Sequence, residues 1–321
     1  LQQDLVRAPF VAMRDARLLG RLMAHIDAAR GEGGLWAFEQ GRLVTATDSA
    51  LVMLSSPQTQ CLDGFTRYWI SGEGYLPQLA NDVGGAEYMQ RAPENRHWRQ
   101  ADYASSCLIR GLHRLNEIDS PFTLAQVAQG FAQRAGLYFA NPYLVDWCVA
   151  LAIHNEPCAK SLQLELVAEI LASANADGSF GRFDETLSTA LALGVLNLLG
   201  YRGPETTRAG LHLIKAIEEP VWPVSQPFYS TFIAPDNVST IVSPQLFQLE
   251  GDTHECSLYE DTHRLVLVGF IADALMAFKS DATCYTGVVP AHESAHPRYL
   301  CDDVISYISS FALTPYVAHA P

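Results

Sequence analysis

A turn built from glycines around an aromatic residue, leading into an apolar helix, occurs more than once in this chain. A recurrence of that kind restricts the fold more than any single motif, because it marks a structural unit that is stacked rather than used once. The clearest copy is Asp177-Gly178-Ser179-Phe180-Gly181, followed by a helix from about Leu187 that stops at Gly200. A second is Gly33-Gly34-Leu35-Trp36-Ala37-Phe38, which passes through Thr45, Thr47, Asp48 and Ser49 into Ala50-Leu51-Val52-Met53-Leu54. A third, fainter copy lies at Gly72-Glu73-Gly74-Tyr75-Leu76-Pro77. In each, glycine lets the backbone turn tightly while the ring goes inside.

Between the turns, apolar residues recur at helical spacing. The pattern predicts helices over Asp4 to Ala29, Thr47 to Leu54, Trp98 to Leu115, Phe122 to Ala135 and Leu144 to Ile153. It predicts others over Ala159 to Ala174, Leu187 to Leu199, Thr206 to Ile217, Glu260 to Phe278 and Asp302 to Phe311. The segment from Pro220 to Pro244 reads as a Pro-rich loop, with Trp222 to Tyr229 a candidate lid. Those beginning near Asp48, Asp102, Asp146, Ser188 and Asp261 are inner helices, each paired with an outer helix or loop. Hairpins that cannot bury both faces alone stack on their neighbours. The expected architecture is all-α: an α/α toroid of about five αα-hairpins, one domain over residues 1–321, with almost no β-structure. A hydrophobic content of 49% with only 17% charged residues suits many fully buried helices.

The same composition excludes some partners. With 35 acidic against 21 basic residues and a formal charge of -14, the chain repels nucleic acid and anionic membrane surfaces. No apolar run approaches the roughly 20 residues a bilayer span needs, and LQQDLVRAPF has no signal-peptide pattern. Seven cysteines scattered without a framework spacing predict reduced thiols and a cytoplasmic protein.

The turn Asp177 to Gly181 with Glu185-Thr186-Leu187-Ser188-Thr189-Ala190-Leu191 resembles the glycine-aromatic repeat of the α/α-toroid superfamily. That superfamily includes class II terpenoid cyclases, such as squalene-hopene cyclase, and the beta subunits of protein prenyltransferases. The resemblance implies a central apolar cavity for an isoprenoid-like small molecule. Its cyclases protonate an alkene with an Asp-x-Asp-Asp-Thr run. The closest match here is Leu258-Tyr259-Glu260-Asp261-Thr262, with Glu260 in the donor place and Asp261 beside it. Thr45-Ala46-Thr47-Asp48-Ser49 is a second match that keeps one acid. Aspartate is also a favoured helix cap, so each such acid has a structural reading too. Parallel inner helices, however, bring their N-termini to one end, where gathered carboxylates raise one another's pKa. Glu260 and Asp261 are therefore the expected catalytic pair, with Asp48 and Asp102 shaping the field, and with Trp147, Tyr103 and Tyr259 lining the substrate.

A second expectation is a metal enzyme. Asp146-Trp147-Cys148 resembles the Asp-x-Cys of prenyltransferase beta subunits, and His263 stands where that family's histidine ligand falls. Carboxylate, thiolate and imidazole would suit Zn2+ or Fe2+. The cations that hold diphosphate in that family are replaced by Phe139, Ala140, Asn141 and Pro142. A third expectation is a non-catalytic binding protein on the same fold. His292-Glu293-Ser294-Ala295-His296 fits a zinc-protease pattern, but Pro290 and Pro297 leave too little helix for it. Asn81-Asp82 and Asp302-Asp303 read as surface loops. Substrate, product and oligomeric state stay open.

Overall fold

The computed structural model describes residues 24–37, 44–55, 62–79, 100–219, 222–234, 254–261 and 264–282, with backbone alone in 229–234, 254–260 and a few helix-end positions. Within them the fold is an all-α toroid. Five inner helices follow one another around it: α1 (Ala46–Ser55), α2 (Tyr103–Leu115), α4 (Pro142–Ile153), α6 (Glu185–Leu198) and α8 (Leu265–Ala282). Each packs on the next. Three outer helices, α3 (Leu124–Gly130), α5 (Lys160–Ala172) and α7 (Pro204–Glu218), each lie against two consecutive inner ones.

The two layers differ in sequence because they differ in surroundings. Every residue of α4 from Tyr143 to Ile153 is buried, so this helix is enclosed on all sides. Outer helix α7 buries Thr206, Ala209, Gly210 and Leu213, the i, i+3, i+4, i+7 stripe of a helix with one face in water. Where α2 meets α4, a Cβ at Gly111 would stand 2.9 Å from Cβ of Leu151. Glycine there sets how close the two inner helices come.

Adjacent inner helices are parallel, and side chains tie their ends together. Thr47 and Ser105 share a hydroxyl hydrogen bond of 2.6 Å between the starts of α1 and α2. Asn141 Nδ2 donates to Ser188 Oγ (2.9 Å) between the starts of α4 and α6. Further along, toward the C-terminal ends of α4 and α6, Arg110 Nε donates to Ala152 O and Asn197 Nδ2 to Ala274 O.

The recurring turn is conserved at atomic detail within the chain. In three copies the N–H of the buried aromatic donates to a hydroxyl on the adjoining inner helix: Trp36 to Ser49 (2.8 Å), Tyr75 to Ser106 (2.8 Å) and Phe180 to Thr189 (3.0 Å). Each hydroxyl in turn donates to the carbonyl four residues earlier, on Thr45, Asp102 and Glu185. An N–H beside a buried ring has no water to turn to, so the serine or threonine at the helix start is its partner.

Two small antiparallel ribbons depart from the expected absence of β-structure. β1 (Trp69–Ile70) pairs with β2 (Gly74–Tyr75), and β3 (Ser225–Ala234) pairs with β4 (His254–Asp261). The second ribbon corrects two expectations: part of the Pro-rich loop is a strand, and Glu260 and Asp261 end a strand instead of opening a helix. Pro223, Pro227 and Pro235 punctuate this segment, and proline is the residue that argues against a strand in sequence. No helix among the described residues is long and apolar enough to cross a membrane. The expected helices over Asp4 to Ala29 and Asp302 to Phe311 lie wholly or mostly outside the described residues, as does His292 to His296.

Candidate functional site at the N-terminal ends of the inner helices

The starts of the inner helices lie together and carry most of the carboxylates singled out from the sequence, yet each is engaged differently. Asp102 is the N-cap of α2. Its Oδ2 accepts from the Ser105 N–H (2.7 Å) and hydroxyl (2.5 Å), and its Oδ1 from the Leu137 N–H (2.7 Å). Burial raises its pKa against these bonds. Both oxygens are committed to holding the helix start and the 135–139 loop, so Asp102 is a structural cap.

Asp261 is 2% exposed, and its Oδ2 accepts from the N–H groups of Val266 (2.9 Å) and Leu267 (3.0 Å). It caps α8 from three residues outside it, the role the helix dipole favours. The side chains of Tyr259 and Glu260 lie outside the described residues, and so does all of His263. Asp184, which carried no motif in the sequence, occupies the N-cap position of α6 with left-handed backbone (φ 46°), and its side chain makes no capping hydrogen bond. Its Oδ2 accepts from the Ser225 hydroxyl (2.6 Å) and the Gln226 N–H (2.8 Å), binding β3 to the start of α6. Pro227 O accepts from the Ala140 N–H (3.1 Å), and the Phe139 and Phe228 rings lie 6.1 Å apart. The β3–β4 ribbon is thus seated over the starts of α4, α6 and α8.

Asp48, in the first turn of α1, is unlike the others. The Thr45 hydroxyl donates a short hydrogen bond to its Oδ2, and Thr45 Oγ1 accepts the Asp48 N–H (3.0 Å). The Thr45 N–H goes to Trp36 O, so the carboxyl is not consumed as a helix cap. Its Oδ1 takes no hydrogen bond from any described residue. Asp48 is half-buried, and burial pushes its pKa up to about 6 against the lowering effect of Thr45. A carboxyl in that range holds its proton over part of the physiological window and is the pattern of a general acid.

Trp147 of α4 reaches past α6, on which both helices pack, and meets Phe270 of α8 edge to face with centroids 5.4 Å apart. Tyr103, expected to line the substrate, instead faces the outer layer. Its hydroxyl donates to Val127 O (2.8 Å), and its ring lies across Gly130 and edge-on to Phe122. It is a wedge between α2 and α3.

The expected metal pair is also placed differently. Asp146 lies in the second turn of α4, not at its start, because Asn141 caps the helix and Pro142 opens it. Its Oδ1 accepts from Arg134 Nε (2.6 Å), and Arg134 also bonds Glu169 of outer helix α5 (2.6 Å). Asp146 therefore faces the outer layer. Cys148, two residues on and about 200° around the helix, is fully buried, with its thiol pKa pushed well above normal by burial. Asp146 is held by Arg134 and Cys148 is enclosed in the core on another side of α4, so the structure does not bring these two side chains together. Arg134, twelve residues upstream of Asp146, falls within the helix expected over Phe122 to Ala135, but the chain leaves helix after Gln133 and Arg134 stands in a loop.

No family model and no curated protein sequence matches the chain. Solved structures do. A protein from Actinoplanes superposes with a TM-score of 0.62 at 13% identity, over 79% of this chain and 81% of that one. A variant of the type II terpene cyclase MstE from Scytonema, in complex with its product merosterolic acid A, gives 0.58 at 14%, over 80% and 78%. The same cyclase without ligand gives 0.56 at 15%, over 79% of each chain. At such identities the likeness concerns the fold. The chain has the α/α-toroid fold of the type II terpene cyclases.

Proposed function

We propose that the protein is an enzyme of the type II terpene cyclase kind, acting on an apolar isoprenoid-like molecule by proton-initiated cyclisation or isomerisation, with Asp48 as the proton donor. The observation that carries this reading is the state of Asp48. Among the described aspartates at the helix starts, Asp102 and Asp261 hold backbone N–H groups of their helices and Asp184 holds β3, whereas Asp48 accepts only the Thr45 hydroxyl among the described residues. It keeps an oxygen without a described partner and holds its proton to about pH 6.

In the reaction, the π pair of a substrate double bond takes the Asp48 proton and leaves a carbocation. A second double bond of the same molecule attacks that cation in cyclisation, and loss of a proton from carbon ends either course. The Asp48 carboxylate then regains a proton from solvent, so the substrate is isomerised without an external oxidant or reductant. The Thr45 hydroxyl steadies the carboxylate as the proton leaves. Ring faces such as that of Trp147 would stabilise the cation.

The test is turnover of linear polyprenyl compounds and prenylated aromatic acids, with products resolved by mass and retention. Asp48→Asn is expected to lose at least roughly a hundredfold in kcat, the scale of losing a general acid. Asp48→Glu retains part of the activity, and Asp102→Asn changes stability more than turnover. Undiminished turnover by Asp48→Asn would remove Asp48 from the chemistry.

A further inference from the structure

On the outer face of the toroid, three elements that pack together each present one metal-binding side chain. Asp177 comes from the glycine-aromatic turn, Glu185 from the first turn of α6 and His212 from α7. His212 Nδ1 lies 3.8 Å from Asp177 Oδ2, and His212 Nε2 lies 3.6 Å from Glu185 Oε1. One ligand atom from each residue falls within 4.8 Å of the other two. These separations exceed those of an N–H···O hydrogen bond, which runs about 2.7–3.2 Å. The two nitrogens belong to one ring and a single ion takes only one of them, so the fit to one ion rests on the ligand atoms, one per residue, that lie within 4.8 Å of one another.

Asp177 and His212 are held in place. Asp177 Oδ1 accepts from the Ser179 N–H (3.0 Å) and hydroxyl (2.7 Å), which fixes the carboxylate and leaves Oδ2 on the side of His212. Gly178 has φ +91°, and a Cβ there would stand 2.8 Å from the Arg208 carbonyl oxygen, so the turn is pressed onto α7 one helical turn from His212. The imidazole itself is 18% exposed. Beside the group opens a cleft of about 440 Å³ lined by Asp177 and His212 together with Arg208, Lys215 and Glu219. Solvent therefore reaches the group from the cleft, where Arg208 is paired with Glu205 (2.9 Å) and Lys215 and Glu219 also line the wall.

We infer that Asp177, Glu185 and His212 form a divalent-metal site suited to Zn2+, with its remaining coordination directed to the cleft, where water is the co-ligand. Two carboxylate oxygens and one imidazole nitrogen are a donor set that Zn2+ accepts, and three protein ligands leave a position open. The ion would pin the turn, an inner helix and an outer helix to one another. This site is separate from Asp48 and stands or falls without the cyclase reading.

Calorimetric titration of the intact chain with Zn2+ alone is the direct test, paired with Co2+ as a spectroscopic probe. One ion per chain is expected, with visible Co2+ bands and a rise in unfolding temperature on adding Zn2+. His212→Ala and Glu185→Gln are each expected to weaken binding at least roughly tenfold and to abolish the Co2+ bands. Asp177→Asn keeps the bonds to Ser179, so a tenfold loss there reports on the ligand and not on the turn. Leu211→Ala, on the cleft wall, serves as the control that keeps full affinity. Equal affinity in wild type and His212→Ala, or no saturable binding by the wild type, would overturn the assignment.

Discussion

If Asp48 is kept for chemistry at the expense of stability, replacing it with asparagine should make the protein more stable, and only at neutral and higher pH. Burial moves this carboxyl from its ordinary 3.8 to about 6. Below the lower value the folded and unfolded chains are both protonated. Between the two, the folded chain keeps a proton the unfolded chain has lost, so stability falls as pH rises through this window. Above about pH 6 the ionised group is a standing cost. A displacement of about two pH units, at about 1.4 kcal/mol each, amounts to about 3 kcal/mol. Asp48 retains contact with open space, so screening brings the figure nearer about 2 kcal/mol. Asparagine has the same shape, still accepts from Thr45 and carries no charge. Urea unfolding followed by circular dichroism at about pH 8 should show Asp48→Asn more stable by about 2 kcal/mol, and within about 0.5 kcal/mol of wild type at about pH 4. A variant less stable at the higher pH, or an offset equal at both, would refute the reasoning.

Three further outcomes follow from the packing. Ser106→Ala leaves the buried Tyr75 N–H without its acceptor and should cost about 1–3 kcal/mol in urea unfolding. Arg134→Leu strands Asp146 in a buried position and should destabilise by about 3–5 kcal/mol near neutral pH, while the double change with Asp146→Leu should recover much of the loss. In peptide mapping after brief alkylation of the native protein, Cys158 should be modified at once, and Cys107 and Cys148 only after unfolding, because both thiols are fully buried and held neutral.

The toroid is legible in the sequence because its repeat is local. Glycine, aromatic and hydroxyl residues fall within one turn and one helix start, and Ser49, Ser106 and Thr189 serve the three buried aromatics as that pattern implies. The stripe of α7 and the apolar run of α4, interrupted by Asp146, likewise show their layers at once. The carboxylates are harder to rank, because a cap and an acid look alike until partners are seen. Asp102 and Asp261 differ from Asp48 through Leu137, Val266 and Leu267, none of which announces a hydrogen bond from its side chain. The threonine three residues before Asp48 was a visible sign that this acid sits in a capping pattern. That the Thr45 N–H goes instead to Trp36 depends on the fold. The β3–β4 ribbon is obscured by prolines, and the Trp147–Phe270 contact joins helices more than a hundred residues apart.

The most direct measurement is turnover of an accepted polyprenyl substrate in D2O, with the position of deuterium in the product read by NMR. The account predicts one deuterium at the carbon that receives the initiating proton, and labelled product from Asp48→Asn formed at least roughly a hundredfold more slowly than from the wild type. Product with no deuterium at that carbon, or labelled product formed as fast by Asp48→Asn, would contradict it.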